Sequence, residues 1–292
     1  RTVCEGVRKV ALPLAGRQSF RVSTERSGAH PFRSSDVERE VGSVVYEQYQ
    51  LRADMKGYEV CVRCDVVLGH VLVGTLPNVA RLSKRHKLAF TRTVTLKPNV
   101  AYCMLRLAGM KDGDALLDPF CGGGTIPLEA AEVFPASRGK LSGCDRSEAV
   151  VKGAKANAAA AGLEGKVSFE PLNAKGLDRK YAKGSFDVVV SNPPWGVRVS
   201  KDADLQQLYR GFLFAASVVV RPGGRVVFLV QRCELVLEVI RRCGLFRVHQ
   251  VVVVKTGDLL PTAFVLENLG RDELREGLKA QVKALTPLVH NP

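Results

Sequence analysis

From Gly113 onward, short apolar runs alternate with longer amphipathic stretches. The runs near 114–118, 141–145, 166–171, 186–191, 225–230, 247–254 and 263–267 predict strands, and the stretches near 124–134, 147–161, 204–219 and 233–243 predict helices. Runs such as Ala115-Leu116-Leu117 and Val188-Val189-Val190 show no polar alternation, as expected of strands buried on both faces. The order predicts an α/β architecture, a mostly parallel seven-stranded sheet with helices on both sides. Before it, Val100, Met104, Leu105 and Leu107 predict a lead-in helix over 100–108. After it, Leu274, Leu278, Val282 and Leu285 predict a surface helix in the tail from Arg271.

The front third reads differently. Phe20-Arg-Val-Ser-Thr24 alternates like a strand, and Val37, Val41, Val44 and Val45 recur at helical spacing. Ser35-Asp-Val-Glu38 has the form of a capping box for that helix. Residues 58–67 and 70–75 read as two strands joined by a short turn, completing a small α+β module.

Composition narrows the partners. The chain has 292 residues and a net charge of +14. Between Arg81 and Lys97, six basic residues (Arg81, Lys84, Arg85, Lys87, Arg92 and Lys97) stand without one acidic residue, which reads as a phosphate-contacting surface. No apolar run is long enough to span a membrane. Eight cysteines show no disulfide framework, and Cys61-Val-Arg-Cys64 is a lone pair inside a predicted strand. No metal site is expected, and the setting is expected to be reducing and intracellular, the cytoplasm before the mitochondrion or nucleus.

Candidate chemistry sits at two strand ends. Asp118-Pro-Phe-Cys-Gly-Gly-Gly-Thr125 follows the first strand, where glycines admit close backbone approach and Thr125 opens a helix whose amides attract a carboxylate. Asp118 suits an ammonium group, so an α-amino acid end fits better than a pyrophosphate. A tight strand–helix turn with no ligand has the same glycines. Asp145, ending the second strand, suits the two hydroxyls of a ribose or the N-cap of the next helix. A dehydrogenase would use the same acid, so hydride transfer competes up to this point.

Ser191-Asn-Pro-Pro-Trp195 after the fourth strand favours amine chemistry. An exocyclic amine conjugated to a ring is a poor nucleophile. The Asn192 side-chain oxygen and the Pro193 carbonyl can each accept one of its N–H groups and aim its lone pair at a methyl donor. Pro193 and Pro194 stiffen the turn, and Trp195 offers a stacking face. Orientation and electrostatics would then carry the rate without a strong base.

These motifs resemble known families. Phe20-Arg-Val, Arg26-Ser-Gly-Ala-His-Pro-Phe-Arg-Ser34, Val41-Gly42, Ala53-Asp54 and Leu82-Ser-Lys-Arg85 are similar to the second half of a THUMP domain, across 18–86, with the first half absent or reduced to residues 1–17. Asp118 through Ala131, Gly143-Cys-Asp145, Ala156-Asn157 and Asn192-Pro-Pro-Trp-Gly-Val-Arg198 resemble THUMP-linked guanine-N2 methyltransferases, across 91–268. The resemblance implies a Rossmann-like class I methyltransferase using S-adenosylmethionine to form N2-methylguanosine. The RNA partner would be tRNA before rRNA, a small accessory protein is a further candidate, and no membrane is involved. Carried over by position, Asn99, Asp118, Phe120, Cys121, Gly122, Gly124, Thr125, Asp145, Arg146, Asn173, Ala174 and Asn192 would hold the cofactor. Asn192, Pro193, Pro194 and Trp195 would act on the amine, and Arg81, Lys84, Arg85, Lys87, Arg92 and Arg198 would contact RNA. Asn173 stands where the family often has Asp, and Trp195 where Phe or Tyr is usual.

The expected layout is a partial THUMP-like module over 1–90, a basic linker and lead-in helix over 91–110, and a methyltransferase domain over 111–292. Adenine-N6 and protein glutamine-N5 methylation share the Asn-Pro-Pro-aromatic turn. An RNA-binding assembly factor that kept the fold without turnover is the alternative from another class.

Overall fold

The structure is a computed structural model that describes residues 2–67, 69–76, 85–86, 88–92, 95–137, 140–196, 205–255 and 259–270. It divides into two compact units, Arg1–Arg81 and Leu82–Pro292. Among the described residues no helix is long and apolar enough to cross a membrane, and all eight cysteines are free.

The first unit runs α1 (Thr2–Arg8), β1 (Ser19–Ser23), β2 (Arg26–Ser27), α2 (Ser34–Tyr49), β3 (Arg52–Ala53), β4 (Val60–Val67) and β5 (His70–Leu76). β1 pairs in parallel with both β3 and β4, β2 with the far end of β4, and β5 closes an antiparallel hairpin on β4. Val37, Val41, Val44 and Val45 form the buried stripe of α2, as their spacing predicts. Its cap differs from the expectation. Helix α2 starts a residue or two earlier, and Asp36 accepts the Arg33 N–H at 2.8 Å, while Glu38 turns to the Thr24 N–H at 3.0 Å. Residues 1–17 are also more than a remnant: Val7, Leu12 and Leu14 are buried in the same core as Phe20 and Val41. Cys61 and Cys64 lie buried within β4.

The second unit contains α3 (Pro98–Leu107), β6 (Leu116–Asp118), α4 (Thr125–Val133), β7 (Leu141–Asp145), α5 (Glu148–Ala160), β8 (Val167–Pro171), α6 (Leu177–Lys180), β9 (Phe186–Ser191), α7 (Leu205–Val219), β10 (Val220–Val230), α8 (Cys233–Cys243), β11 (Phe246–Val253) and β12 (Thr262–Asn268). One sheet takes all seven strands in the order β11-β12-β10-β9-β6-β7-β8. β10, β9, β6, β7 and β8 are parallel, and β12 runs antiparallel to both β10 and β11. Successive strand residues feed two cores. Leu116, Val188, Val190, Val227 and Leu229 pack with α3, α4 and α5, whereas Leu117, Val189, Val226, Phe228 and Val230 pack with α7 and α8. Burial on both faces is why these strands read as unbroken apolar runs.

Two features lay beyond the periodic signal: the short turns Ala174–Gly176 and Leu177–Lys180, and the early start of β10 at Val220, with a register shift before Arg225. The expected tail helix from Arg271 lies outside the described residues. Strand order reverses beside β6, which has β7 on one side and β9 on the other, so the carboxyl ends of β6 and β9 open a crevice.

Candidate active site

Asp118 ends β6 and Ser191 ends β9, and adjacency of the two strands brings their side chains together. The Ser191 hydroxyl donates to Asp118 Oδ1 at 2.5 Å, and the Phe120 N–H donates to the same oxygen at 3.2 Å. Asp118 is 1% exposed, and burial pushes its carboxyl up to about 7. Among the described residues no Lys or Arg pairs with it. A buried carboxylate short of a cation is suited to a ligand that brings an ammonium group.

The glycine loop that follows is held by the Cys121 N–H, which donates to the Cys144 carbonyl at 2.9 Å. Gly122 and Gly124 take left-handed φ of 54° and 85° and turn the chain into α4. Asp145, at the end of β7, accepts the Ser147 N–H at 3.0 Å, while Ser147 itself occupies the N-cap of α5. Asn173 Oδ1 accepts the Lys175 N–H at 3.0 Å, which leaves its second lone pair for an incoming N–H.

Across the crevice stands the Asn-Pro-Pro-Trp turn. The Trp195 indole N–H lies 3.1 Å from Asn192 Oδ1 and 2.9 Å from the Leu229 carbonyl. The hydroxyl of Tyr209, fully buried in α7, donates to the Pro194 carbonyl at 2.7 Å. Tyr209 and Trp195 therefore hold the turn from below. Among the described residues nothing donates to the Pro193 carbonyl, and Asn192 Oδ1 keeps a second lone pair.

The segment before α3 braces this site. Asn157, buried in α5, donates to the carbonyls of Phe90 and Gly123, both at 2.9 Å, and accepts the Phe90 N–H at 2.7 Å. A Cβ at Gly153 would lie 2.3 Å from the Phe90 ring, so α5 needs glycine there for the segment to seat. Arg85 and His86 anchor its start on Glu129 of α4, whose side chain is fully buried. Arg85 Nε donates to Glu129 at 2.9 Å, and His86 Nε2 and Nδ1 lie 3.2 and 3.3 Å from Glu129 and Glu132. Burial holds His86 below its ordinary titration range. His86, Glu129 and Glu132 also bring three potential ligand atoms within 4.8 Å, but Arg85 already supplies the charge that Glu129 lacks.

One cavity of about 590 Å³ joins the pieces, lined by Asp118, Phe120, Cys121, Gly122, Thr125, Asp145, Arg146, Asn173, Ala174 and all of Asn192–Trp195. That volume suits a nucleoside-sized cofactor. Three of the expected residues stand apart from the others. Asn99 is exposed in the first turn of α3 and is outside the lining, where Leu96, Thr95 and Arg92 stand instead. Gly124 also lies outside it. A Cβ there would meet the Phe169 ring at 2.7 Å, so this glycine serves packing, and Gly123 lines the cavity. Arg85 is engaged with Glu129, with its side chain still 29% exposed. Arg92 is exposed at the rim, and Arg81, Lys84, Lys87 and Arg198 lie outside the described residues. Sequence reasoning missed Tyr209 and Glu129, and saw Asn157 only as part of a pattern.

Comparison with known proteins follows the same division. Residues 4–76 match the THUMP domain model, beginning well before the expected Gln18, and residues 85–261 match the model described as RMKL-like, methyltransferase domain. The tRNA (guanine(6)-N2)-methyltransferase of Thermus thermophilus is 36% identical over 89% of this chain and 76% of its own length. The mouse tRNA (guanine(6)-N(2))-methyltransferase THUMP3 is 30% identical over 86% of this chain, which spans 51% of that protein. The crystal structure of TrmN from Thermus thermophilus superposes with a TM-score of 0.66 at 35% identity, covering 92% of this chain and 78% of that one.

Proposed function

The chain belongs to the THUMP-bearing family of RMKL-like methyltransferases, and on that footing we propose that it transfers a methyl group from S-adenosylmethionine to N2 of a guanosine in tRNA. The observation that carries this reading is the Asn192-Pro-Pro-Trp195 turn facing Asp118 and Asp145 across one cavity. The bacterial and mouse relatives are both named for guanine(6), which makes nucleotide 6 the first to examine.

The buried Asp118 carboxylate fits the ammonium of the cofactor's methionine moiety, and the amides at the start of α4 fit its carboxylate. Asp145 would take the ribose hydroxyls, with Asn173 and Ala174 beside the adenine. When bound, S-adenosylmethionine supplies an electrophilic methyl group.

The chain's own part is orientation. Asn192 Oδ1 and the Pro193 carbonyl accept the two N–H groups of the guanine amine, which turns its lone pair outward. Trp195 fixes Asn192 through its indole N–H, and Tyr209 fixes Pro194. The turn Ser191–Trp195 contains no titratable base. Rate enhancement therefore comes from holding a weak nucleophile in line within a cavity of preset dipoles. A base buried in a duplex must be unstacked to enter, at a cost of a few kcal/mol.

Incubating the protein with unmodified tRNA and labelled S-adenosylmethionine, then identifying nucleosides by mass spectrometry, tests the reading. N2-methylguanosine is expected. N6-methyladenosine, a methylated protein glutamine, or no transfer despite cofactor binding would each overturn it.

A further inference from the structure

A second groove, of about 900 Å³, runs along α7 and α8 and meets the catalytic cavity at Lys175 and Gln207, which line both. Its walls carry Lys175, Arg210 and Arg242, and among the described residues no Asp or Glu lines it. Arg242 is paired with Glu238 at 2.5 Å, so part of its charge is spent. Among the described residues Lys175 and Arg210 form no ion pair. Phe214, one turn beyond Arg210 on α7, is 48% exposed in this groove, where the cations stand among uncharged residues such as Gln206, Val239 and Leu245.

The groove is built as well as charged. A Cβ at position 211 of α7 would lie 2.9 Å from Cγ and Cδ of Lys175. Gly211 thus lets the Lys175 stem lie flat against the helix, at the junction of groove and cavity. Cations from neighbouring elements beside an exposed ring suit an unpaired stretch of nucleic acid. Phosphates meet the cations and one base stacks on the aromatic face, with no demand on sequence.

We infer that this groove holds an unpaired stretch of RNA near the target nucleotide, with phosphates on Lys175 and Arg210 and one base against Phe214. The inference rests on the guanosine-methylating reading and adds to it a path by which the strand leaves the catalytic turn. It also supplies an RNA contact separate from the 81–97 segment. A protruding acidic peptide would meet the same cations but gains nothing from a stacking face.

The test uses the full chain and an unmodified tRNA transcript, comparing Arg210→Glu, Arg210→Gln and Phe214→Ala with wild type. Steady-state methylation, RNA affinity by fluorescence anisotropy and S-adenosylmethionine affinity by calorimetry are measured together. Both positions of change carry exposed side chains, and retained cofactor binding certifies the fold. Arg210→Glu should raise the KM for tRNA by about tenfold and flatten the dependence of log affinity on log salt by about 0.7–0.9 per lost contact. Phe214→Ala should weaken RNA binding roughly five- to hundredfold. In both, kcat and cofactor affinity stay near wild type. Wild-type KM, RNA affinity and salt slope in all three variants would overturn the groove, even if wild type makes N2-methylguanosine. A wild type that makes no N2-methylguanosine removes the reading beneath it, and the groove is then judged by RNA affinity alone.

Discussion

The indole N–H of Trp195 is shared between the Asn192 side-chain oxygen at 3.1 Å and the Leu229 carbonyl at 2.9 Å. The tryptophan at this turn is therefore a tether as well as a surface. Phe keeps a ring for stacking but lacks the N–H. Trp195→Phe should lower kcat by about tenfold or more, since two hydrogen bonds of about 0.5–1.5 kcal/mol each are lost and Asn192 is freed to rotate. The KM for tRNA should barely move. A variant with wild-type kcat would show that the ring alone matters.

Asp118 ties the cofactor site to stability. Its carboxyl sits at about 7 in the folded chain against 3.8 unfolded, so the folded state holds a proton that the unfolded state releases between those values. Stability of the cofactor-free protein should therefore fall as pH rises from 4 to 7 through this group, by up to ~4 kcal/mol at about 1.36 kcal/mol per pH unit. Asp118→Asn should raise the melting temperature at pH 8 and remove S-adenosylmethionine binding. In the unsubstituted protein, cofactor affinity should drop about tenfold per pH unit below 7, because the carboxylate must be ionised to meet an ammonium. Calorimetry at pH 5.5, 6.5 and 7.5 checks this, and a flat profile would refute it.

Asp145 and Asn192 should separate binding from chemistry. Asp145→Ala should weaken S-adenosylmethionine by about tenfold to a hundredfold, the loss of one or more charge-assisted hydrogen bonds of roughly 1.5–3 kcal/mol. Asn192→Ala should keep most cofactor and RNA affinity while methylation disappears. Filter binding and single-turnover assays on the same preparations distinguish the two. Robust turnover by Asn192→Ala would end the amine-orienting account.

Arg85 should behave as a structural residue. Arg85→Ala leaves the buried Glu129 carboxylate without its guanidinium, which costs about 2–3 kcal/mol, below the ~3–5 of a fully enclosed pair because Arg85 is 29% exposed. Urea unfolding should register the loss. RNA affinity of the folded fraction should stay at the wild-type value, whereas a specific drop in affinity would return Arg85 to the RNA surface.

Much of this was legible in advance because the relevant signals are local. Gly122, Gly124, Pro193 and Pro194 punctuate strand ends, and the apolar triplets before them mark strands buried on both faces. What sequence could not reveal depends on distant partners. Tyr209 reads as an ordinary helix position, and only the fold brings its hydroxyl to the Pro194 carbonyl. Arg85 sits in a run of cations that looks uniformly exposed, yet its partner Glu129 lies 44 residues on. Asn99 stands outside the cavity lining for the opposite reason. Pro98 opens α3 one residue earlier, and Asn99 falls on the solvent side of the first turn.

The three hydrogen bonds of Asn157 bear on where this protein can be cut. Phe90 and Gly123 are held by the same amide, so the backbone ahead of α3 is part of the scaffold that shapes the cofactor loop. A fragment trimmed to begin at residue 91 or 111 would keep every strand of the seven-stranded sheet and both strand-end motifs, yet lose the strut under its glycines. A piece meant to keep that strut, together with the Arg85 and His86 anchor on Glu129, must therefore start ahead of Arg85.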